Sequence, residues 1–285
     1  MQQGRLIRAA VSSLLMVWAG SALAWGAQGH RITGLVAQRL LTPEADAGIK
    51  ALMGKTDLAA DAVYMDVNKV RLDKQIPGSR EWHYDDRPVC DAQAKKADYC
   101  PNGNCASTQI TRHYRALIDE HGVTDDQKRF AVYVLVHLIG DIHQPLHGSD
   151  HDDRGGNDIK VQFKLPSGQQ RTTNLHSAWD TDFVKAAFAT TDERAIAQDL
   201  VNRFSGDIPG WQHGSTAKCL GETYDSAAGF AYGGLPRFQC GNDDFGAEKL
   251  VLDATYVNKA IETVPMQLAK AGARIAYILN RAFAK

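Results

Sequence analysis

The sequence predicts a mainly α-helical chain folded as one domain, on three observations. Five segments carry apolar residues at helical spacing, a single segment alternates as a strand does, and no Pro/Gly/Ser-rich linker, repeat or low-complexity tract divides the 285 residues. That length and 44% hydrophobic residues suffice to bury a sizeable core. Charged residues at 23% exclude a disordered acidic or basic tail. With 32 Lys plus Arg against 33 Asp plus Glu, there is no excess of basic residues of the kind that holds duplex DNA by its phosphates.

Residues 1–24 read as an export signal and 25–285 as the domain. Arg5 and Arg8 form a basic start, 9–20 is apolar, and Ala22-Leu23-Ala24 is a small-x-small cleavage site. The apolar run falls short of the roughly 20 residues that a bilayer span needs, which argues against the rival reading, an uncleaved anchor. Export places the protein in a periplasm or outside the cell. In an oxidising compartment Cys90, Cys100, Cys105, Cys219 and Cys240 read as disulfide partners with one thiol left over; thiolate metal ligands are the rival, weakened by the lack of any C-x-x-C pair.

The first helix is expected over 29–41, stopping before Pro43. Others follow over 110–121, 125–142, 192–204 and 254–283. The 125–142 segment carries Phe130, Val134, His137, Leu138 and Asp141 along one side. Ile159, Val161, Phe163 and Leu165 alternate with Lys160, Gln162 and Lys164, and Pro166-Ser167-Gly168 turns the chain, so 159–174 reads as a β-hairpin. The stretches 88–107 and 214–247 read as long loops stapled by cysteines.

The chemistry concentrates in 137–147, HLIGDIHQPLH. His137 and Asp141 stand at i and i+4, one turn apart on one helix face, and Pro145 lets His147 fold back towards them. His176 and Asp180 repeat the spacing. One such pair is ordinarily a hydrogen bond; two pairs plus His147 point to divalent metal. His30 lies a turn beyond Trp25, whose amine becomes free on signal cleavage and can chelate together with its carbonyl. Asp66 and His83 complete a set of N and O donors without sulfur, which suits catalytic zinc. His143 reads as packed or hydrogen-bonded behind the ligands, and His113, His121, His151 and His213 as surface groups. Trp82 and Trp179 read as packing beside ligands. The acidic run 150–153 resembles a calcium loop but has Arg154 at a ligand place and no Glu following.

In order along the chain, WGAQGH at 25–30, Asp66, WHYDD at 82–86, HLIGDIHQPLH, RGGND at 154–158 and NLHSAWD at 174–180 resemble the secreted zinc-dependent single-strand nucleases, the plant and fungal nuclease I type and its bacterial relatives. The resemblance spans 25 to about 280. It implies the mainly α fold shared with zinc-dependent phospholipase C. It further implies three zinc ions: one held by Asp66, His83, His137 and Asp141, a second by Trp25, His30 and the same Asp141, and a third by His147, His176 and Asp180. Lys69 and Asn157 would flank the scissile phosphate, Tyr84 would stack a base, and Asp86 would contact it, with Asp85 as neighbouring alternative. The implied disulfides are Cys90–Cys240 and Cys100–Cys105 with Cys219 free; Cys219–Cys240 is the rival pairing. The implied substrates are single-stranded DNA, RNA and 3′-nucleotides, cut to 5′-phosphate products by a monomer without stable membrane contact. This chain departs from the family at Tyr64-Met65, where Trp-Ala is usual, and at Lys69, where some members have Arg. Two other functions compete: a zinc-dependent phospholipase C, in which the last pair is His-x-x-x-Glu, and a zinc-binding surface protein without turnover.

Overall fold

A computed structural model describes residues 25–119, 121–241, 245 and 248–284; the expected export signal, 1–24, lies outside the described residues. The described chain is mainly helical. Helix α1 (Ala27–Arg39) is followed by α2 (Pro43–Met53), α3 (Leu58–Ala62), α4 (Tyr64–Val67), α5 (Lys69–Gln75) and α6 (Lys96–Tyr99). Two longer helices, α7 (Ala106–Ile118) and α8 (Asp125–Asp141), lead to strands β1 (Lys160–Lys164) and β2 (Gln170–Asn174). Then come α9 (Leu175–Ser177), a π-helical turn (Ala178–Asp182), α10 (Phe183–Ala186), α11 (Glu193–Arg203), α12 (Ile208–Trp211) and α13 (Thr216–Ser226). A second π-helical turn (Ala227–Ala231), β3 (Leu250–Val251) and the 30-residue α14 (Ala254–Phe283) complete the chain.

Side-chain caps set half of the α-helix starts among the described residues. Thr42 accepts the Ala45 N–H, with Pro43 in the first turn where its missing N–H costs nothing. Thr124 and Gln127 form a capping box on α8. Asp192 caps α11 and Asp253 caps α14. The hairpin forms as expected, with Val161 opposite Thr173 and Phe163 opposite Arg171. Val161 and Phe163 point into the core, and β3, which the sequence reading did not find, adds in parallel on the other edge of β1.

Two apolar clusters share α1 and α14. One gathers Trp25, Ile32, Leu35, Phe163, Trp179, Phe183, Tyr256 and Leu268. The other gathers Leu58, Met65, Trp82, Ile110, Leu135, Leu138, Ile275 and Leu279. Close approach of the two shared helices requires Gly272: a Cβ there would lie 2.4 Å from Val36 Cγ1. Cys90–Cys240 and Cys100–Cys105 are bridged, and Cys219 is free and buried. No helix among the described residues is long and apolar enough to cross a membrane.

Three expectations need correction. The 214–247 stretch is no continuous loop: Ser215 caps α13, which buries Cys219, Thr223 and Tyr224 on one face despite Gly221. The 88–107 stretch likewise contains α6 and the first turn of α7. His113 is not a surface group; it is buried, its Nδ1 bonds the Gln109 carbonyl at 2.9 Å, and its ring packs against Trp82 and Phe130.

Candidate metal centre

The C-terminal half of α8 is buried all round, an environment in which two polar side chains survive only with partners. His137 and Asp141 project from it towards residues from three other segments. Asp141 Oδ1 lies 3.1 Å from His30 Nε2 of α1. Its Oδ2 lies 3.1 Å from His83 Nδ1, on the 3-10 turn Ser79–His83, and 3.3 Å from His137 Nε2. The His30 and His137 rings stack with centroids 4.0 Å apart. Asp66, from α4, faces the same imidazoles at 3.8 to 4.0 Å.

A second group adjoins the first. His147 follows Pro145 in a 3-10 turn, and its Nε2 lies 3.0 Å from His176 Nε2 and 3.8 Å from Asp180 Oδ1. Asp180 Oδ2 lies 3.2 Å from His176 Nε2. Asp180 stands on the first π-helical turn, a feature frequent at functional sites. His147 Nδ1 donates to the His83 carbonyl at 2.9 Å, so the two groups share a wall.

Backbone carbonyls orient three of these rings. His137 Nδ1 donates to Ala62 O at 2.6 Å, His147 Nδ1 to His83 O, and His176 Nδ1 to Gly155 O at 2.6 Å. In its neutral form each ring therefore turns a bare Nε2 lone pair inward. Two such lone pairs 3.0 Å apart, as between His147 and His176, repel unless a proton or a metal ion lies between them. Both His30 ring nitrogens, both Asp66 oxygens, Asp141 Oδ1 and Asp180 Oδ2 are buried without a hydrogen-bond partner. The donors form three groups compact enough to hold a metal ion: His30, His137 and Asp141; Asp66, His83 and His137; and His147, His176 and Asp180. Electrostatics agree. Burial opposes a charge on His137, yet Asp141 and Asp66 outweigh it and lift its pKa to about 9. The site attracts positive charge.

Trp25 is fully buried. Its indole Nε1 donates to Gly140 O at 3.0 Å, and its carbonyl accepts the His30 N–H, so the residue is anchored beside both His30 and Asp141. Lys69 opens α5, half-buried, near enough to His176 that its charge disfavours protonation there. Asn157 is half-buried and donates to Arg154 O at 2.8 Å. It ends a left-handed run, Arg154, Gly155 and Gly156, with φ of 59°, 63° and 82°. The run needs glycine at 155, where a Cβ would lie 2.6 Å from Leu146 O.

The neighbouring acids divide their tasks. Asp85 is buried and accepts the Ser107 N–H at 2.8 Å and its hydroxyl at 2.6 Å, capping the start of α7. Asp86 stays half-buried, and burial together with Asp150, Asp85, Glu81 and Asp153 raises its pKa to about 7. Tyr84 is half-buried beside it, its hydroxyl pushed up to about 12 by burial and these acids. His143 is fully buried behind the ligands: Nδ1 donates to Ile139 O at 2.7 Å, and Nε2 accepts from Arg274 Nη1 at 2.8 Å. Arg274 and Gln144, both polar and buried against this site, escaped the sequence reading; Gln144 lay in plain view inside the densest motif.

A family model described as S1/P1 Nuclease matches residues 25–284. Among curated relatives, Endonuclease 2 of Arabidopsis thaliana is 26% identical over 300 aligned residues, covering 96% of this chain and 97% of its own. Nuclease P1 of Penicillium citrinum is 28% identical, covering 90% and 97%. Nuclease S1 of Aspergillus oryzae is 27% identical, covering 62% and 60%.

Proposed function

The chain belongs to the S1/P1 nuclease family and is a nuclease, and from that premise we propose that it is a zinc-dependent endonuclease of single-stranded DNA and RNA. It leaves 5′-phosphate ends and also removes the phosphate of 3′-nucleotides. The observation that carries this reading is the buried, converging and unpartnered His/Asp donor set, all nitrogen and oxygen, which fits zinc in a catalytic role. Asp66, His83, His137 and Asp141 would hold one ion, Trp25, His30 and Asp141 a second, and His147, His176 and Asp180 a third. Zinc bound there supplies positive charge against phosphate and brings the ionisation of water near neutral pH. This answers how a chain of net charge −1 meets a polyanion.

The chain's own groups do the rest. Lys69 and Asn157 flank the donors and stabilise charge that builds on the non-bridging phosphate oxygens. Tyr84 offers a ring face to an unpaired base, which a base inside a duplex cannot match. Asp86 hydrogen-bonds that base. Every group comes from one chain, so a monomer suffices and no membrane contact is needed. Cleavage after Ala24 frees the Trp25 amine, and the protein acts in a periplasm or outside the cell.

The test offers zinc-loaded protein starting at Trp25 to single-stranded DNA, duplex DNA, RNA, 3′-AMP and phosphatidylcholine vesicles, with and without chelator. Chelator-sensitive cutting of single strands to 5′-phosphate ends is expected. Vesicle hydrolysis without nucleic-acid cleavage would instead identify a phospholipase, and zinc binding without turnover a storage protein.

A further inference from the structure

We propose that Gln144 is a positioning residue for the His147–His176–Asp180 group: its amide holds Asp180 Oδ1 and so turns Oδ2 towards His176. The proposal rests on reading that group as a metal position. Gln144 is fully buried and lies three residues beyond Asp141, at the head of the turn that carries His147. Its amide oxygen accepts the Leu146 N–H at 2.6 Å, and its backbone carbonyl accepts the His147 N–H at 2.9 Å. Its amide nitrogen donates to Asp180 Oδ1 at 2.8 Å, across 36 residues of sequence.

The backbone settles the orientation of this amide. Flipping it would set an NH2 against the Leu146 N–H and a carbonyl oxygen against a carboxylate, two repulsive contacts in place of two bonds. The donor therefore points at Asp180 whether or not anything else is present. Oδ1 is satisfied by it, while Oδ2, buried and unpartnered, is the oxygen beside His176 Nε2. One neutral side chain thus sets the His147 turn and the Asp180 rotation together. Neutrality matters: a cation in this place would compete with the metal for Asp180, and an anion would repel the carboxylate.

Two near-isosteric variants separate positioning from packing. Gln144→Met keeps volume and removes both bonds; Gln144→Glu keeps shape and the acceptor but turns an oxygen on Asp180. Zinc binding is read by calorimetric titration and by native mass spectrometry of the full folded chain, with His176→Ala as control. In both variants one of three zinc positions should weaken by roughly 10–100-fold, as lost partners of metal ligands usually give, and the other two should hold. Gln144→Glu should be the weaker binder although it is the closer in shape. Wild-type affinity at all positions in both variants would overturn the role of Gln144, as would equal weakening of every position, which marks general destabilisation. If His176→Ala keeps its full zinc content, the group is no metal position and the underlying reading fails instead.

Discussion

Asp141 faces three imidazoles from two sides of one carboxylate, His30 on Oδ1 and His83 with His137 on Oδ2. Asp141→Asn should therefore release more than one zinc per chain and abolish turnover; metal analysis finding all ions retained would remove its bridging role. Lys69→Ala should keep the metal and lower kcat if, as proposed, its charge acts on the transition state; a loss confined to KM would contradict that. Asp61, buried on α3, tests the electrostatics away from the ligands. Burial, reinforced by Asp57, raises its carboxyl from 3.8 to about 7. A carboxyl raised on folding leaves stability untouched below the unfolded pKa and drains it as pH climbs through the folded one. Asp61→Asn should gain on the order of 2–4 kcal/mol at pH 8 and almost nothing at pH 4, read from denaturant melts at both. At this scale the sequence is legible where a side chain carries the chemistry. His137/Asp141 and His176/Asp180 announce themselves by spacing. The groups that aim them, the carbonyls of Ala62, His83 and Gly155, exist at every position of every chain and bear no signature. Likewise nothing in the pair Asp85-Asp86 tells which acid is spent on Ser107.

Among the elements, the end of α8 is held from behind. His143, driven neutral by burial and by Arg274 to a pKa of about 3, accepts from Arg274 of α14, and Arg274 Nη2 bonds both oxygens of Glu222 on α13 at 2.9 Å. Arg274→Met should cost roughly 3–5 kcal/mol in a denaturant titration, the range for removing one partner of a buried charged network. Glu222→Gln should cost clearly less, because Glu222 is half-buried and Lys270 lies 3.3 Å away. If the two cost the same, the network is not what holds α8. The long helices α1, α8 and α14 were readable because packing against a core imposes an apolar stripe. The run from α2 to α5 was not: α3 to α5 are too short for a period to register, and α2 buries only Ala45 and Ile49, too few to draw a stripe. Helix α13 was missed for another reason: tertiary burial of Tyr224 and Cys219 outweighs the weak local preference that Gly221 brings.

Trp25, where the described chain begins, is packed in the core and bonded to the helix that bears Asp141. Adding one or two residues before Trp25 converts its amine to an amide, which has no basic lone pair for a metal. Such a protein should hold less zinc and lose activity by orders of magnitude relative to the form starting at Trp25; equal activity would exclude the amine from the site.

The crowding of bare imidazole lone pairs, 3.0 Å apart between His147 and His176, reaches beyond catalysis. If the proposed metal ions bind there, they relieve this crowding of neutral imidazoles, and part of the free energy of the native state then belongs to the solution around it. With zinc as the proposed metal, stability should grow with the logarithm of free zinc, by about 2.7 kcal/mol for each site at a hundred times its dissociation constant; melts that do not move with zinc would contradict this. The melting temperature becomes a gauge of ambient zinc. A compartment that withholds the metal would then leave a less stable protein.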